Sequence, residues 1–272
     1  MNNNRKPKKR GFKLSFSALV IPVALALAIV VYEFIMGNPS NFQGNDTANS
    51  PLPGNFYGII YKGGYIVPIL MTLLLMVITY VIERFLAIRK ATGVGDVVDF
   101  VQNVKADLQK NDLDSAMTEC DEQKGSVANV IRSVLLKYRL LEKDDTLAKD
   151  QKLAALQAEV EESTSLELPA LEENLVILST ITSLATLMGL LGTVLGMIRA
   201  FAALANAGAP DSVALASGIS EALVNTAFGI TGSTLSIIAF NYFSSTIDGY
   251  TFKIDEAGFS LTQNFAASLK AS

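Results

Sequence analysis

Two uncharged stretches of membrane-helix length, residues 174–198 and 222–247, carry small and hydroxylated side chains along one face. Each is long enough to cross a hydrocarbon core about 30 Å thick, which takes roughly 20 apolar residues in a helix. A helix surrounded only by lipid does not need Gly, Thr, Ser and Asn within its span. Those residues suit close helix contact or an aqueous interior. The pattern therefore predicts a membrane protein whose functional chemistry lies between helices.

Composition supports this prediction and argues against several kinds of site. Half of the 272 residues are hydrophobic and only 18% are charged, which is typical of membrane proteins. Two further apolar stretches, residues 16–32 and 63–82, bring the predicted spans to four. There is no histidine and only one cysteine, Cys120, so we expect no metal site, no cofactor and no enzyme. The basic residues cluster only at the N-terminus, so no nucleic-acid partner is expected.

The first span is interpreted as a signal anchor. The residues before it, including Arg5 and Lys13, are rich in basic side chains and contain no acidic one. A cleaved signal peptide is the alternative, because residues 24–26 and 26–28 both read Ala-Leu-Ala. The anchor is favoured because apolar residues continue to Met36, beyond a signal-peptide core of about 7–15 residues.

Lysines and arginines near the span ends indicate the orientation. Residues 37–61 contain neither and are placed outside, whereas Arg84, Arg89 and Lys90 follow the second span and mark the cytoplasm. The chain is therefore predicted to cross the membrane four times, with its N- and C-termini in the cytoplasm.

Apolar residues at helical spacing run through residues 91–173 and predict a cytoplasmic helical domain. Because few residues separate Glu173 from the third span, we expect one helix to continue unbroken from this domain into the membrane. Residues 243–269 are expected to extend the fourth helix inward. The predicted segments are the basic N-terminus and anchor (1–36), a periplasmic loop (37–62), the second transmembrane helix (63–90), the cytoplasmic domain (91–173), the third transmembrane helix (174–199), a short periplasmic loop (200–217), the fourth transmembrane helix (218–247) and a cytoplasmic helix (248–272).

Glycines and threonines share one helical face on each of the last two spans. For the glycines, close helix packing is the favoured interpretation. For the threonines, packing and a polar ring in an oligomer both remain open. The glycines are Gly189, Gly192, Gly196, Gly218 and Gly229, and the threonines are Thr193 and Thr226.

Charged residues at the span ends are candidates for function. Glu221 lies at the outer start of the fourth span, where an ionisable group is a functional candidate. The alternative is an interfacial carboxylate favoured by the helix dipole. Arg199 is placed to pair with Asp211 or Glu221. Glu83 and Arg84 close the second span and are interpreted as an interfacial pair that anchors it.

Short motifs in these spans carry family information. Residues 189–196 read Gly-Leu-Leu-Gly-Thr-Val-Leu-Gly, and residues 218–229 read Gly-Ile-Ser-Glu-Ala-Leu-Val-Asn-Thr-Ala-Phe-Gly. Residues 82–84 (Ile-Glu-Arg) and 171–175 (Leu-Glu-Glu-Asn-Leu) add to the pattern. Together they resemble the MotA/TolQ/ExbB proton channel family over about residues 65–248, nearer to ExbB and TolQ than to MotA.

The resemblance implies a homo-oligomeric ring, a pentamer, in the lipid of the inner membrane of Gram-negative bacteria. A single-span partner similar to ExbD would occupy the pore and contribute a membrane aspartate that takes up protons. A TonB-like energy transducer would receive the resulting motion. Thr193 and Thr226 fall at the family's pore hydroxyl positions, and Glu221 falls at its characteristic carboxylate.

The expected function is therefore that of an ExbB-like subunit of a proton-motive-force-driven motor that energises TonB-dependent outer-membrane transport. A TolQ-like subunit that energises envelope constriction is the nearest alternative, and a non-conducting membrane scaffold is another. A secondary transporter is disfavoured by the small number of spans. Thr186 and Leu235 stand where the family usually has prolines, so we expect straighter helices there.

Overall fold

The computed structural model describes residues 16–144, 146–206 and 212–271, and within them the chain is helical throughout most of its length. These ranges contain no strand; Phe42 and Pro51 form only an isolated bridge. The basic N-terminal residues used for the orientation, and Asp211, lie outside the described residues. The α-helices are α1 (Phe16–Val30, continued by a π-helix over Val31–Met36), α2 (Phe56–Tyr61), α3 (Ile66–Thr92), α4 (Val97–Gln109), α5 (Leu113–Gln123), α6 (Gly125–Glu142), α7 (Lys149–Glu172), α8 (Leu175–Asn206) and α9 (Ser212–Ala271).

Within the described residues, four segments are long and apolar enough to cross a membrane, the same number as the spans predicted from the sequence. They are Ala18–Met36, Ile66–Gln109 (α3 and α4), Leu175–Ala205 and Ser212–Leu269. The last belongs to α9, a helix of 60 residues that is roughly 90 Å long at 1.5 Å per residue. Its length confirms that residues 243–269 extend the fourth helix.

Two predicted features between the spans are wrong. The helix before the third span does not continue unbroken, because α7 ends at Glu172 and Asn174 adopts a φ of 64°. Asparagine tolerates this left-handed conformation better than most residues. The predicted loop 200–217 is also mostly helical, since α8 extends to Asn206 and α9 begins at Ser212. Both flanks are rich in alanine, the residue with the highest helix propensity.

The chain divides into two compact units. The first comprises the described residues up to Thr79 together with those of Ile181–Leu235. Its core includes Tyr32, whose ring stacks on Tyr61 at 4.7 Å between centroids and whose hydroxyl donates to the Tyr61 carbonyl at 2.9 Å. These contacts hold the end of α2 against the π-helix.

The second unit comprises the described residues of Tyr80–Thr180 and those from Ser236 onward. Its core is one cluster of apolar side chains from α4, α5, α6, α7 and α9, in which the Tyr138 ring lies 4.6 Å from that of Phe265. Cys120 is buried in this cluster, and burial raises the pKa of its thiol to about 12. The thiol packs among the apolar side chains of this cluster.

Candidate functional site

Helices α8 and α9 approach each other closely along their glycine faces. A Cβ added to Gly189 would lie 3.0 Å from the Cα of Gly229, and one added to Gly196 would lie 2.8 Å from the carbonyl oxygen of Gly218. Such distances leave no room for a side chain. The structure thus places these four predicted glycines, together with Gly192, at the contact between the two helices.

Asn225 occupies the space that Gly192 leaves open. A Cβ on Gly192 would lie only 2.3 Å from the Cβ of Asn225. The Asn225 side chain is fully buried, and its Nδ2 donates to the carbonyl oxygen of Gly63 at 2.9 Å. This residue therefore ties α9 to the turn before α3 while it packs against α8. Its Oδ1 has no hydrogen-bond partner within the described chain, an arrangement that costs about 1–3 kcal/mol.

Glu221 lies one helical turn before Asn225 and forms an ion pair with Arg199. The Arg199 Nη1 donates to the Glu221 Oε1 at 2.5 Å, and the Glu221 side chain is 8% exposed whereas that of Arg199 is 50% exposed. Glu221 is thus observed as a partner of Arg199, whereas Asp211, the other acidic residue proposed, lies outside the described residues. The pair connects the C-terminal part of α8 to the N-terminal part of α9.

The carboxylate of Glu221 also lies against the turn before α3. Gly64 has a φ of 74°, and a Cβ there would lie 2.5 Å from the Glu221 Oε1. A side chain at this position would be strained by the left-handed backbone, and the flexible end of Glu221 would have to move aside. Helix α3 consequently begins at Ile66, after this turn, and not at Gly63.

The hydroxyls of Thr193 and Thr226 each bond to their own helix. Thr193 Oγ1 donates to the Leu190 carbonyl at 2.6 Å, and Thr226 Oγ1 donates to the Ala222 carbonyl at 3.1 Å. Both side chains are partly exposed. Each hydroxyl oxygen retains its capacity to accept a hydrogen bond while its own donor is satisfied. The arrangement is compatible with water or a partner's polar group on the free side of either residue.

The site therefore combines a buried carboxylate, a half-exposed guanidinium and a buried amide that join three segments of the chain. Glu221 and Arg199 were predicted as candidates from the sequence, whereas Asn225 and Gly64 had no predicted role. A signal for the turn was present, because the pair Gly63-Gly64 marks a break before a helix. The contact of Asn225 with Gly63 joins residues far apart in the chain, so local spacing contains no signal for it.

Comparison with known proteins agrees with the motifs. The model of the MotA/TolQ/ExbB proton channel family matches residues 104–256, more than half of the chain. The match includes Thr193, Arg199, Glu221 and Thr226. The matched range contains the α8–α9 contact and most of the second unit.

Individual relatives match shorter segments. The biopolymer transport protein ExbB of Pseudomonas putida is 35% identical over 81 residues, 30% of this chain and 25% of that protein. The ExbB protein of Xanthomonas campestris is 33% identical over 113 residues, 42% of this chain and 43% of that protein. The Tol-Pal system protein TolQ of Pseudomonas aeruginosa is 29% identical over 119 residues, 44% of this chain and 52% of that protein. The matched segments thus span from a quarter to about half of the length of these relatives.

Replacing Gly192 with alanine should destabilise the α8–α9 contact. The added Cβ would clash with the Cβ of Asn225, which is fixed to the backbone of α9 and cannot rotate away. Overpacking of this kind costs about 1–3 kcal/mol, so we expect a melting temperature lower by several degrees in a detergent-based thermal unfolding assay. Gly232→Ala is the matched control, because a Cβ there would lie 3.4 Å from the Ala185 Cβ, an ordinary contact. Equal melting temperatures for Gly192→Ala and the wild type would contradict the close contact.

Proposed function

Because the chain belongs to the MotA/TolQ/ExbB proton channel family, we propose that it is an ExbB-like subunit of an inner-membrane motor driven by the proton-motive force. The proposed motor energises TonB-dependent transport across the outer membrane. It is a homo-oligomeric ring, a pentamer, with both termini of each chain in the cytoplasm. A single-span, ExbD-like protein occupies the ring and contributes the aspartate that takes up protons, and a TonB-like protein receives the motion.

The observation that carries this proposal is the buried Glu221 carboxylate in a helix long and apolar enough to span a membrane. A carboxylate in such a segment is costly, and it is retained where it pairs with another charge or serves an ion pathway. Glu221 pairs with Arg199, and Thr226 follows on the same helix. The chain has no histidine, which supports a proton pathway whose carrier is a carboxylate on the partner.

The first test is native mass spectrometry of the detergent-purified protein co-expressed with its genomic neighbours. We expect five copies of this chain to retain copies of a single-span protein that carries an aspartate in its span. A monomer or simple dimer without such a partner would instead favour the non-conducting membrane scaffold.

Thr226→Val should reduce partner-dependent proton flux while leaving assembly intact. Valine keeps the size and β-branched shape of threonine but cannot accept a hydrogen bond from water or a partner's carboxyl group. We expect proton influx through the co-purified complex in liposomes to fall by about tenfold or more, which corresponds to a barrier higher by roughly 1.4 kcal/mol. Thr231→Val is the matched control, since the Thr231 hydroxyl also donates to its own helix, to the Ala227 carbonyl at 2.7 Å. Full flux through the Thr226→Val complex would leave Thr226 with a packing role only.

Glu221→Ala should impair flux more strongly than Thr226→Val. The change removes both the partner of Arg199 and the group that fills the space beside Gly64. We expect near-complete loss of flux in the same liposome assay. Glu33→Ala, at an exposed carboxylate of the first unit, should retain it. Normal flux in Glu221→Ala would reduce Glu221 to an interfacial carboxylate at a helix end.

A TolQ-like role in envelope constriction is the second candidate function. It is favoured by the similarity to the TolQ proteins of Pseudomonas aeruginosa and Haemophilus influenzae, the latter 35% identical over 82 residues. The neighbouring genes distinguish the two roles, because a TonB-like neighbour fits outer-membrane transport and a TolA-like neighbour fits constriction. The proton pathway proposed for Glu221 and Thr226 is the same in both.

A further inference from the structure

Arg84 has the largest fully buried side chain in the described part of the chain. Arg84 lies on α3, and its Nε donates to the Oε2 of Glu83 at 2.6 Å, while its Nη2 donates to the Oε1 of the same carboxylate. The side chain of Arg84 is 2% exposed and that of Glu83 is 24% exposed. This bidentate ion pair uses the planar, forked guanidinium that distinguishes arginine from lysine.

The same two residues contact the break between α7 and α8. Arg84 Nη1 donates to the carbonyl oxygen of Leu171 at 3.1 Å, in the last turn of α7. Carbonyl groups in the last turn of a helix lack partners within the helix, so this bond satisfies one of them. Asn174, whose φ of 64° turns the chain between the helices, donates from Nδ2 to the Glu83 Oε2 at 3.4 Å.

These contacts differ from those of an interfacial anchor, which was the interpretation from sequence. An anchoring pair keeps its charges in water or among lipid headgroups, whereas Arg84 has lost its contact with solvent. The requirement for cytoplasmic basic residues after the second span is met by Arg89 and Lys90, which are exposed. Burying a guanidinium is costly unless it is paired and hydrogen-bonded, and here its partners are Glu83 and the end of α7.

We propose that Glu83 and Arg84 form a clamp that fixes the angle at which α8 leaves α7. In this clamp Arg84 is a positioning residue that holds the end of α7, and Glu83 holds both Arg84 and the turn residue Asn174. The angle between α7 and α8 is set by side chains of α3. The turn residues between the two helices are therefore not sufficient to define it.

The test is a distance measurement by pulsed electron paramagnetic resonance. Spin labels are attached to cysteines at Ala158 on α7 and Thr180 on α8, both exposed, in a Cys120→Ala background. Labelled chains are diluted with unlabelled chains, so that only distances within one chain are measured. We expect one narrow distance distribution in the otherwise unchanged protein and a distribution at least about twice as broad in Arg84→Gln.

Two controls distinguish a change in the angle between α7 and α8 from a general loss of stability. Arg89→Gln makes the same charge change at an exposed site on α3 and should leave the distribution narrow. A second label pair, Thr118 and Ala158, reports on the helical core of the second unit and should not change in Arg84→Gln. Where Arg84→Gln yields no folded protein, Glu83→Gln removes the charge of the clamp while keeping its shape and replaces it in the comparison.

A narrow distribution between positions 158 and 180 in Arg84→Gln would overturn the proposal. Broadening of both distances would also overturn it, because the pair would then stabilise the whole unit and not the angle between two helices. Neither distance depends on proton flux or on a partner. The clamp can therefore be tested even if the proposed motor function fails.

Discussion

Backbone contact between α8 and α9 is the interaction on which the polar site of the first unit depends. In lipid, helices gain little from the hydrophobic effect, so close packing and internal hydrogen bonds hold them together. The facing glycines, Gly189 with Gly229 and Gly196 with Gly218, bring the two backbones together. Only this approach gives Asn225 its place over Gly192 and allows its amide to reach the Gly63 carbonyl. The polar contacts of these helices therefore depend on their small residues.

The turn before α3 is the third segment of this site, after α8 and α9. Glu221 and Asn225 are four residues apart on α9 and so face the same side of the helix, where they meet Gly64 and Gly63 respectively. One residue supplies a charge whose partner is Arg199, and the other supplies an amide whose partner is a backbone carbonyl. Since both contacts converge on the same turn, the position of the Glu221 carboxylate is linked to the start of α3. A site of this kind is held by three segments and not by one motif.

How far these features could be predicted depends on whether their cause is local. Apolar length was enough to predict the four spans, and helical spacing was enough to predict the extension through residues 243–269. The break at Asn174 was missed because it depends on one left-handed residue and on side chains of α3. The predicted loop 200–217 is mostly helical because its flanks are rich in alanine, which favours helix. The burial of Arg84 depends on packing, since the sequence shows the charge of a residue but not what covers it.

The two ion pairs differ in which partner is buried, and this difference indicates different roles. In the pair of Arg84 with Glu83 the guanidinium is buried, whereas in the pair of Arg199 with Glu221 the carboxylate is buried. A guanidinium keeps its proton at any pH that a folded protein experiences, so a buried one provides a permanent charge and a fixed set of donors. In the second pair the half-exposed guanidinium holds a buried carboxylate that also lies against the turn before α3. The chemistry of arginine therefore suits Arg84 to holding an angle, whereas the pair of Arg199 with Glu221 links α8 to α9.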